Sequence, residues 1–250
     1  MIRSFGALAP EYDRLRANAD LELRARLTLE ACVPPWSGTA LDVGCGTGTL
    51  LASLRRRRPD LTLIGADLSA AMLHQAARGA TGRTLLLRAN ARGIPLPAQV
   101  VDLACYSLSL HHLGDESLAL AEAARVLRPG GWITIWTLAP SHIRGHYLNQ
   151  FFPSVRDLDL ARFTPAESLG SALSGLGFKS VTWREIWQGR RQTWAQLLER
   201  VERRFISTLW LLAEAEYQNG LERIRARAQA EPAAAFESQM GWVLLQARRA

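Results

Sequence analysis

Three glycines stand at alternate positions in the stretch LDVGCGTGTL, which runs from residue 41 to residue 50. Gly44, Gly46 and Gly48 lie between an apolar run and a helical pattern. Where a strand turns into a helix, residues without side chains allow a tight turn and let a ligand lie against main-chain amides. The spacing differs from the dinucleotide fingerprint G-x-G-x-x-G, because Thr49 occupies the position of its last glycine. We interpret the stretch as a cofactor loop; the alternative is a tight turn without a ligand.

Asp67 ends the next apolar run, about twenty residues after the glycine loop, at the distance where an acidic residue binds a ribose diol. Aspartates at strand ends also cap helices, although Ser69 could serve as that cap. We favour ribose binding for Asp67.

Two adjacent histidines, His111 and His112, follow the fourth apolar run. An imidazole titrates near neutral pH, so either ring could remove a proton from a reacting group. The alternatives are that both rings cap the next helix or bind backbone groups, or that they bind a metal with Asp115. A metal site would need further ligands, and we predict none.

The segment around residues 138–165 is rich in aromatic rings, and its stretch FFPSVRDLDLARFTP adds Arg156 and Arg162 among apolar residues. A cavity lined by such rings suits a flat or hydrophobic small molecule. The alternative is that the rings pack a lid onto the sheet. The aromatic and histidine residues concerned are Trp136, His142, His146, Tyr147, Phe151 and Phe152.

These candidate residues must be held by an alternation of strands and helices, which is typical of a parallel sheet with crossover helices. We predict a helix within residues 11–32 and further helices at 48–57, 69–79 and 115–128, with one or two surface helices in 193–229. Strands are predicted at 39–44, 61–69, 84–90, 100–110, 132–138, 179–187 and 241–249.

The charge of +7 comes almost entirely from arginine, because Lys179 is the only lysine. The densest cluster, residues 55–58, stands at a predicted helix end, where cations offset the helix dipole. We interpret it as a solvated helix end; a phosphate-binding patch is the alternative.

Three cysteines, Cys32, Cys45 and Cys105, show neither CxxC spacing nor an even pairing. The beginning of the chain lacks a signal pattern, and no apolar run approaches the ~20 residues of a membrane span. We therefore expect a cytoplasmic protein without a membrane partner.

Four segments, LDVGCGTG, LIGADLS, VVDLACYSLSLHHL and ARVLRPGGWITI, occur in an order and spacing that resembles the class I S-adenosylmethionine-dependent methyltransferases. The resemblance is greatest to the small-molecule group that includes the ubiquinone-biosynthesis enzymes (methyltransferase type 11), and it covers roughly residues 5–140. It implies an α/β fold: a Rossmann-like, doubly wound, mostly parallel seven-stranded sheet with an antiparallel last strand and helical lid additions. We expect one domain over 1–250, with N-terminal helices in 1–35, a cofactor-binding core in 36–137, and lid or substrate elements in 138–165 and 190–238.

The resemblance also implies roles for individual residues. The three loop glycines would pack against the aminoacyl and ribose parts of S-adenosylmethionine, Asp42 would lie near its amino group, and Asp67 would bind its ribose. Leu68 would contact adenine, with Asn90 and Ala91 beside its exocyclic amine; the family more often has aspartate where Asn90 stands. The remaining implied cofactor residues are Ser107 and Leu108, beside the methionine portion, and Tyr12 and Arg16, which would close over the carboxylate.

From these observations we predict methyl transfer from S-adenosylmethionine to the oxygen, nitrogen or carbon of a hydrophobic or aromatic small molecule. The resemblance supports His111 as the base. The candidate substrate residues are His112, Tyr147, Phe151 and Arg156. A nucleic-acid methyltransferase is less favoured, because YSLSLHHL stands where an NPPY-type motif would be. A protein that binds S-adenosylmethionine without methylating is the other alternative.

Overall fold

The computed structural model describes residue 9, residue 13 and residues 19–250 except 33 and 36. Tyr12 and Arg16 therefore lie outside the described residues. The strands are β1 (Thr39–Val43), β2 (Thr62–Asp67), β3 (Thr84–Arg88), β4 (Val101–Ser107), β5 (Leu127–Leu138), β6 (Phe178–Thr193) and β7 (Ala235–Arg249). The helices are α1 (Ala19–Ala31), α2 (Thr49–Arg57), α3 (Ala70–Gly79), α4 (Glu116–Val126), α5 (Pro140–Gly145), α6 (Ser154–Arg162), α7 (Ala166–Gly175), α8 (Trp194–Glu202) and α9 (Glu214–Ala230).

In the described part of the chain, the strands form one seven-stranded sheet in the order β3-β2-β1-β4-β5-β7-β6. β7 runs antiparallel to both of its neighbours, while β1 to β5 pair in parallel. The predicted fold class is therefore confirmed. The strand order reverses between β1 and β4, and such a switch point opens a crevice at the carboxyl ends of the strands.

Apolar strands and amphipathic helices account for this arrangement. β1 and β4 lie in the middle of the sheet and are almost entirely buried, as their continuous apolar sequences predict. On α2, Leu50, Leu51 and Leu54 face the sheet, while its last turn carries the arginine cluster. Those arginines bind the chain itself: Arg55 donates to the Leu61 carbonyl at 2.7 Å, and Arg56 pairs with Glu22. These contacts fit a helix end rather than a phosphate patch.

The last two strands extend well beyond the predicted limits. β6 and β7 pair along their length from Phe178 opposite Arg249 to Thr193 opposite Ala235. β5 likewise begins at Leu127 rather than 132, after a register shift between Val101 and Leu103 on β4. Backbone pairing with a neighbouring strand, which leaves no local sequence signal, sets these ends.

The segments between β5 and β6 and between β6 and β7 share a second apolar core, separate from the main sheet core. Phe152 is fully buried in it and stacks on Tyr217 of α9. Phe151 is also buried there. Both rings thus pack in this second core, which is called the lid core below. This agrees with the alternative interpretation, in which the rings serve packing. Trp136 is buried against α1, where its indole Nε1 donates to the Thr28 hydroxyl at 2.9 Å.

Among the described helices, none is long and apolar enough to cross a membrane.

Replacing Gly220 on α9 by alanine is expected to lower the free energy of unfolding by roughly 1–3 kcal/mol, the range for overpacking a core. An added Cβ would lie 2.6 Å from the Phe151 carbonyl oxygen and closer still to the Phe152 ring. The matched control is Gly175→Ala, because a Cβ there meets open space and helix propensity favours alanine. Urea denaturation of both variants measures the difference. Equal stability of Gly220→Ala and the wild type would contradict this packing.

Candidate functional site

A cavity of about 430 Å³ lies where the sheet order reverses. Its walls come from the carboxyl ends of β1, β2 and β4, from α1, and from residues between His146 and Trp242. The part of the wall formed by this last group of residues is called the lid side below. The cavity is large enough for a cofactor-sized ligand. Eleven of the residues predicted from sequence contribute to its lining: Asp42, Gly44, Gly46, Asp67, Leu68, Asn90, Ala91, Ser107, Leu108, His112 and Tyr147.

The glycine loop turns back tightly over the end of β1. Gly44 has φ 73°, and a Cβ on it would lie 2.5 Å from the Cβ of Ser109, so a side chain is excluded there. Gly46 has φ 55°, but a Cβ on it would meet no atom within 4 Å, since this glycine faces the cavity. Gly48 does not line the cavity; it precedes α2 and packs against Ala76 of α3. Gly44 and Gly46 thus line the cavity, and Gly44 and Gly48 pack closely against neighbouring residues.

Asp67 at the end of β2 connects this loop to the next one. One carboxylate oxygen, Oδ2, accepts a hydrogen bond from the Gly46 amide at 2.8 Å, and Oδ1 accepts one from the Ser69 amide at 2.8 Å. Ser69 is itself the cap of α3, because its hydroxyl accepts from the Met72 amide. Each carboxylate oxygen keeps a lone pair, so Asp67 can still accept hydrogen bonds from a ligand in the cavity.

Asp42 is the buried acid of the site, with 2% of its surface exposed. Among the described residues, its Oδ1 has no hydrogen-bond partner. Burial raises the pKa of Asp42 to about 7; the positive charge of Arg24 lowers it and the negative charge of Asp67 raises it. A buried carboxylate oxygen beside a cavity is suited to a cationic or amine donor on the ligand.

Arg24 on α1 also lines the cavity, and sequence reasoning did not identify it. Its guanidinium Nη1 donates to the Ser107 hydroxyl at 2.7 Å. The sequence signal that could have identified it is its position on the buried face of α1, three residues after Leu21 and four before Thr28. A charged residue on such a face indicates a partner or a ligand.

The wall that follows β2 and β3 includes Leu68, Asn90 and Ala91. Leu68 is 43% exposed although it is apolar, and an exposed apolar side chain in a cavity suits a planar ring. Ala91 is buried, while the Asn90 carbonyl oxygen accepts a hydrogen bond from the Arg92 amide at 3.0 Å. The same side-chain oxygen, Oδ1, also accepts from Arg92 Nε at 3.4 Å, so the Asn90 side chain uses both lone pairs of that oxygen to shape its own turn.

The end of β4 carries an unusual backbone. Leu108 has φ 57°, in the left-handed region that non-glycine residues avoid. Its amide donates to the Trp136 carbonyl at 3.1 Å, and the next residue, Ser109, donates its hydroxyl to the Val43 carbonyl. These bonds hold the strained turn against the glycine loop, and such strain is concentrated at functional sites.

The rings of His111 and His112 lie against each other, with ring centres 3.8 Å apart, but they differ in their relation to the cavity. His112 lines the cavity, whereas the His111 ring stacks on Phe163 with ring centres 3.9 Å apart and does not reach the lining. Nη2 of Arg162 lies 3.2 Å from His112 Nδ1. A guanidinium can only donate, so Nδ1 accepts and the neutral ring carries its proton on Nε2. Asp115 caps α4 through the Ser117 and Leu118 amides.

The lid side provides the remaining wall, from segments far apart in sequence: His146, Tyr147, Arg190, Arg200, Phe205, Ile206, Met240 and Trp242. Burial, together with the nearby His142 and Arg200, lowers the pKa of His146 to about 3, so the ring is neutral. Two predicted substrate residues are absent from this lining. Phe151 packs in the lid core because it is apolar, and Arg156 is exposed and pairs with its neighbour Asp157.

Comparison with known proteins gives consistent results. A family model described as a methyltransferase domain matches residues 41–135. The chain is 33% identical to a demethylmenaquinone methyltransferase of Thermus thermophilus over 143 residues, 54% of this chain and 64% of that protein. It is 32% identical to a malonyl-[acyl-carrier protein] O-methyltransferase of Salmonella typhimurium over 196 residues, 78% of this chain and 71% of that protein.

The match to the Thermus protein thus spans less than two thirds of that relative's length. A solved structure of a provisionally assigned methyltransferase, from an antibiotic biosynthesis pathway of Anabaena variabilis, superimposes with a TM-score of 0.67 at 18% identity. The superposition covers 89% of this chain and 96% of that one. At this identity the likeness shows the fold alone.

Proposed function

The chain belongs to the class I S-adenosylmethionine-dependent methyltransferases, and on that premise we propose that it transfers a methyl group from S-adenosylmethionine to a small-molecule acceptor. When bound, S-adenosylmethionine supplies an electrophilic methyl group on a sulfonium. The chain needs no nucleophile of its own; it must hold the acceptor in line and exclude water. The observation that supports this proposal most is the cavity at the switch point, whose wall carries Asp42, Gly46 and Asp67.

The cavity residues fit the polar groups of the cofactor. In this proposal, the open Oδ1 of Asp42 accepts a hydrogen bond from the amino group, and Asp67 accepts from the ribose hydroxyls. Arg24 binds the carboxylate, since a guanidinium fork matches that group. Gly46 offers its bare backbone to the ligand.

The less polar parts of the cofactor are assigned to the remaining walls. Leu68 would contact the adenine ring, with Asn90 and Ala91 at its edge, and Ser107 and Leu108 would border the methionine portion. These assignments rest on the family resemblance and on the presence of all five residues in the cavity lining.

For the acceptor, we propose a small molecule with an apolar or aromatic body, held between the sheet and the lid elements 138–165 and 190–238. Tyr147, Met240 and Trp242 line the cavity and support such a body. The two relatives described above are named for different acceptors, a quinone precursor and an acylated carrier protein, so family membership alone does not select one. We retain the cytoplasmic location as a prediction; it is supported by the three free, buried cysteines.

The contrast between the histidines leads to a prediction about the base. Because His112 Nδ1 accepts from Arg162, its Nε2 proton can only donate, and we propose that His112 positions the acceptor without removing a proton from it. His112→Ala is expected to lower kcat/KM up to about tenfold, the value of one neutral hydrogen bond. His111→Ala should leave it nearly unchanged, because that ring lies on Phe163.

Single-turnover rates against pH, at saturating cofactor, distinguish these roles. A rate that rises toward neutral pH and loses that rise only in His111→Ala would restore His111 as the base that the family resemblance suggested.

Label transfer tests the proposed function directly. The protein is incubated with S-adenosylmethionine tritiated on its methyl group, together with a low-mass metabolite extract or with purified RNA and DNA. We expect label in low-mass products, and S-adenosylhomocysteine should suppress its transfer. Label in the nucleic-acid fraction instead would contradict the proposal.

A further inference from the structure

The charged residues that line the cavity are divided between its two sides. Its carboxylates come from the N-terminal region and from the ends of β1 and β2: Asp13, Asp20, Asp42 and Asp67. From β6, β7 and α8, by contrast, the charged residues in the lining are Arg190 and Arg200. The side assigned above to the cofactor also carries Arg24 and Arg92 and so holds both signs of charge, whereas the charged residues of β6 and α8 in the lining are both arginines.

Arg190 and Arg200 share one corner of this lid side. Residues two apart on a strand point to the same face, so Arg190 lies on the same face of β6 as Gln192. The Gln192 side chain is buried and its Oε1 accepts a hydrogen bond from Arg200 Nη1 at 2.8 Å. The Arg200 guanidinium also lies 3.9 Å above the Phe205 ring, which fixes its direction. Arg200 is therefore held in place on the face of β6 that carries Arg190, and both arginines line the cavity.

The Arg190 guanidinium has no carboxylate partner within the described part of the chain. The nearest titratable ring on this side, His146, is neutral and does not offset or add charge. Ile206, Met240 and Trp242 supply apolar surface next to the same corner. Cationic groups that face an apolar cavity are suited to a ligand with one anionic end.

We propose that Arg190 and Arg200 bind an anionic head group of the methyl acceptor, a carboxylate or a phosphate, while its apolar body lies against Met240 and Trp242. This inference rests on the proposed function, because it concerns the acceptor of that same site. It adds a specificity site for the acceptor on β6 and α8, outside the segments that resemble the family.

The proposal is tested with three probes that share a phenyl ring on a three-carbon chain and differ in their end group. They are 3-phenylpropionate, 3-phenylpropyl phosphate and the neutral 3-phenylpropionamide. Each is titrated into protein saturated with S-adenosylhomocysteine, and Trp242 fluorescence or calorimetry reports the Kd. We expect at least one anion to bind ten or more times as tightly as the amide, and the two anions distinguish carboxylate from phosphate. Arg190→Gln should remove that preference and leave the affinity for the amide unchanged.

The matched control is Arg191→Gln, since Arg191 is the exposed neighbour on the opposite face of β6; it should bind the anions as the wild type does. Arg190→Lys, which keeps the charge, should recover part of the preference. Equal affinities for amide and anions, or an Arg190→Gln protein that still prefers the anion, would overturn the inference. The S-adenosylhomocysteine titration comes first: if the wild type fails to bind it, the proposed function itself fails, which is a different result.

Discussion

Replacing Asp42 by asparagine is expected to stabilise the cofactor-free protein and at the same time to weaken its binding of S-adenosylmethionine. The folded protein raises the pKa of Asp42 from 3.8 to about 7, so a carboxylate ionised above that pH opposes folding. The difference between the two pKa values corresponds to at most about 4 kcal/mol. We expect Asp42→Asn to raise the free energy of unfolding by roughly 1–4 kcal/mol at pH 8. The affinity for the cofactor should fall by about 10- to 100-fold, because a charge-assisted hydrogen bond is lost.

The sign of the pH dependence follows from the same pKa. Between pH 4 and 7, the folded protein holds a proton on Asp42 that the unfolded chain has released, so wild-type stability should decrease as the pH rises through this window. Cofactor affinity should change in the opposite direction, rising by about 10- to 100-fold in total as the pH approaches 7 and then levelling. Asp42→Asn should remove both dependences. Parallel pH profiles for the two proteins would show that Asp42 does not titrate in this range.

The second large effect is expected for Asp67→Ala. This change removes the anchor of the Gly46 amide and, in the proposed function, also the acceptor for the ribose hydroxyls, so we expect both the ligand contact and the loop that carries it to be weakened. We expect the affinity for S-adenosylhomocysteine to fall by about 100-fold or more, as for two hydrogen bonds to a charged group. Calorimetry gives the affinity, and thermal unfolding reports whether the fold is intact.

The matched control for Asp67→Ala is Asp115→Ala. Asp115 also stands near a strand end and accepts backbone hydrogen bonds, but it caps α4 and does not line the cavity. Its replacement should cost about 0.5–2 kcal/mol of stability and leave cofactor affinity unchanged. Similar losses of affinity in both variants would indicate that Asp67 acts only through the fold.

The cofactor side of the molecule could be predicted from sequence because its signals are local. Gly44 and Gly46 lie within one turn, and Asp67 follows directly on a strand that pairs with β1. The alternation of apolar strands and amphipathic helices predicted the sheet for the same reason. The residue types that a tight turn or a strand end requires stand close together in the sequence, so they can be recognised there.

The acceptor side could not be predicted in the same way. The lining of the cavity includes three residues that are far apart in sequence, His146, Arg190 and Arg200. The long β6–β7 pairing helps to place them there, and no short stretch of sequence predicts that arrangement. The aromatic segment predicted a pocket wall, but Phe151 packs in the lid core instead. Which of two adjacent histidines faces the cavity likewise depends on a partner fifty residues away, Arg162. Tertiary packing decided each of these cases.

Arg24 shows the same limit in another form. The helix preceding β1 was predicted, and the family resemblance placed the carboxylate-binding arginine at Arg16, outside the described residues. In the structure a second arginine, Arg24, eight residues further along the chain, contacts Ser107 at the cavity. The helical pattern alone did not show that the buried stripe of α1 faces a ligand.

Calorimetric titration of the purified protein with S-adenosylhomocysteine and, separately, with NAD tests whether this cavity binds S-adenosylmethionine. We expect one S-adenosylhomocysteine to bind per chain, with an affinity that Asp42→Asn and Asp67→Ala reduce and Asp115→Ala does not, and no binding of NAD. Tight binding of NAD without any response to S-adenosylhomocysteine or S-adenosylmethionine would contradict the claim.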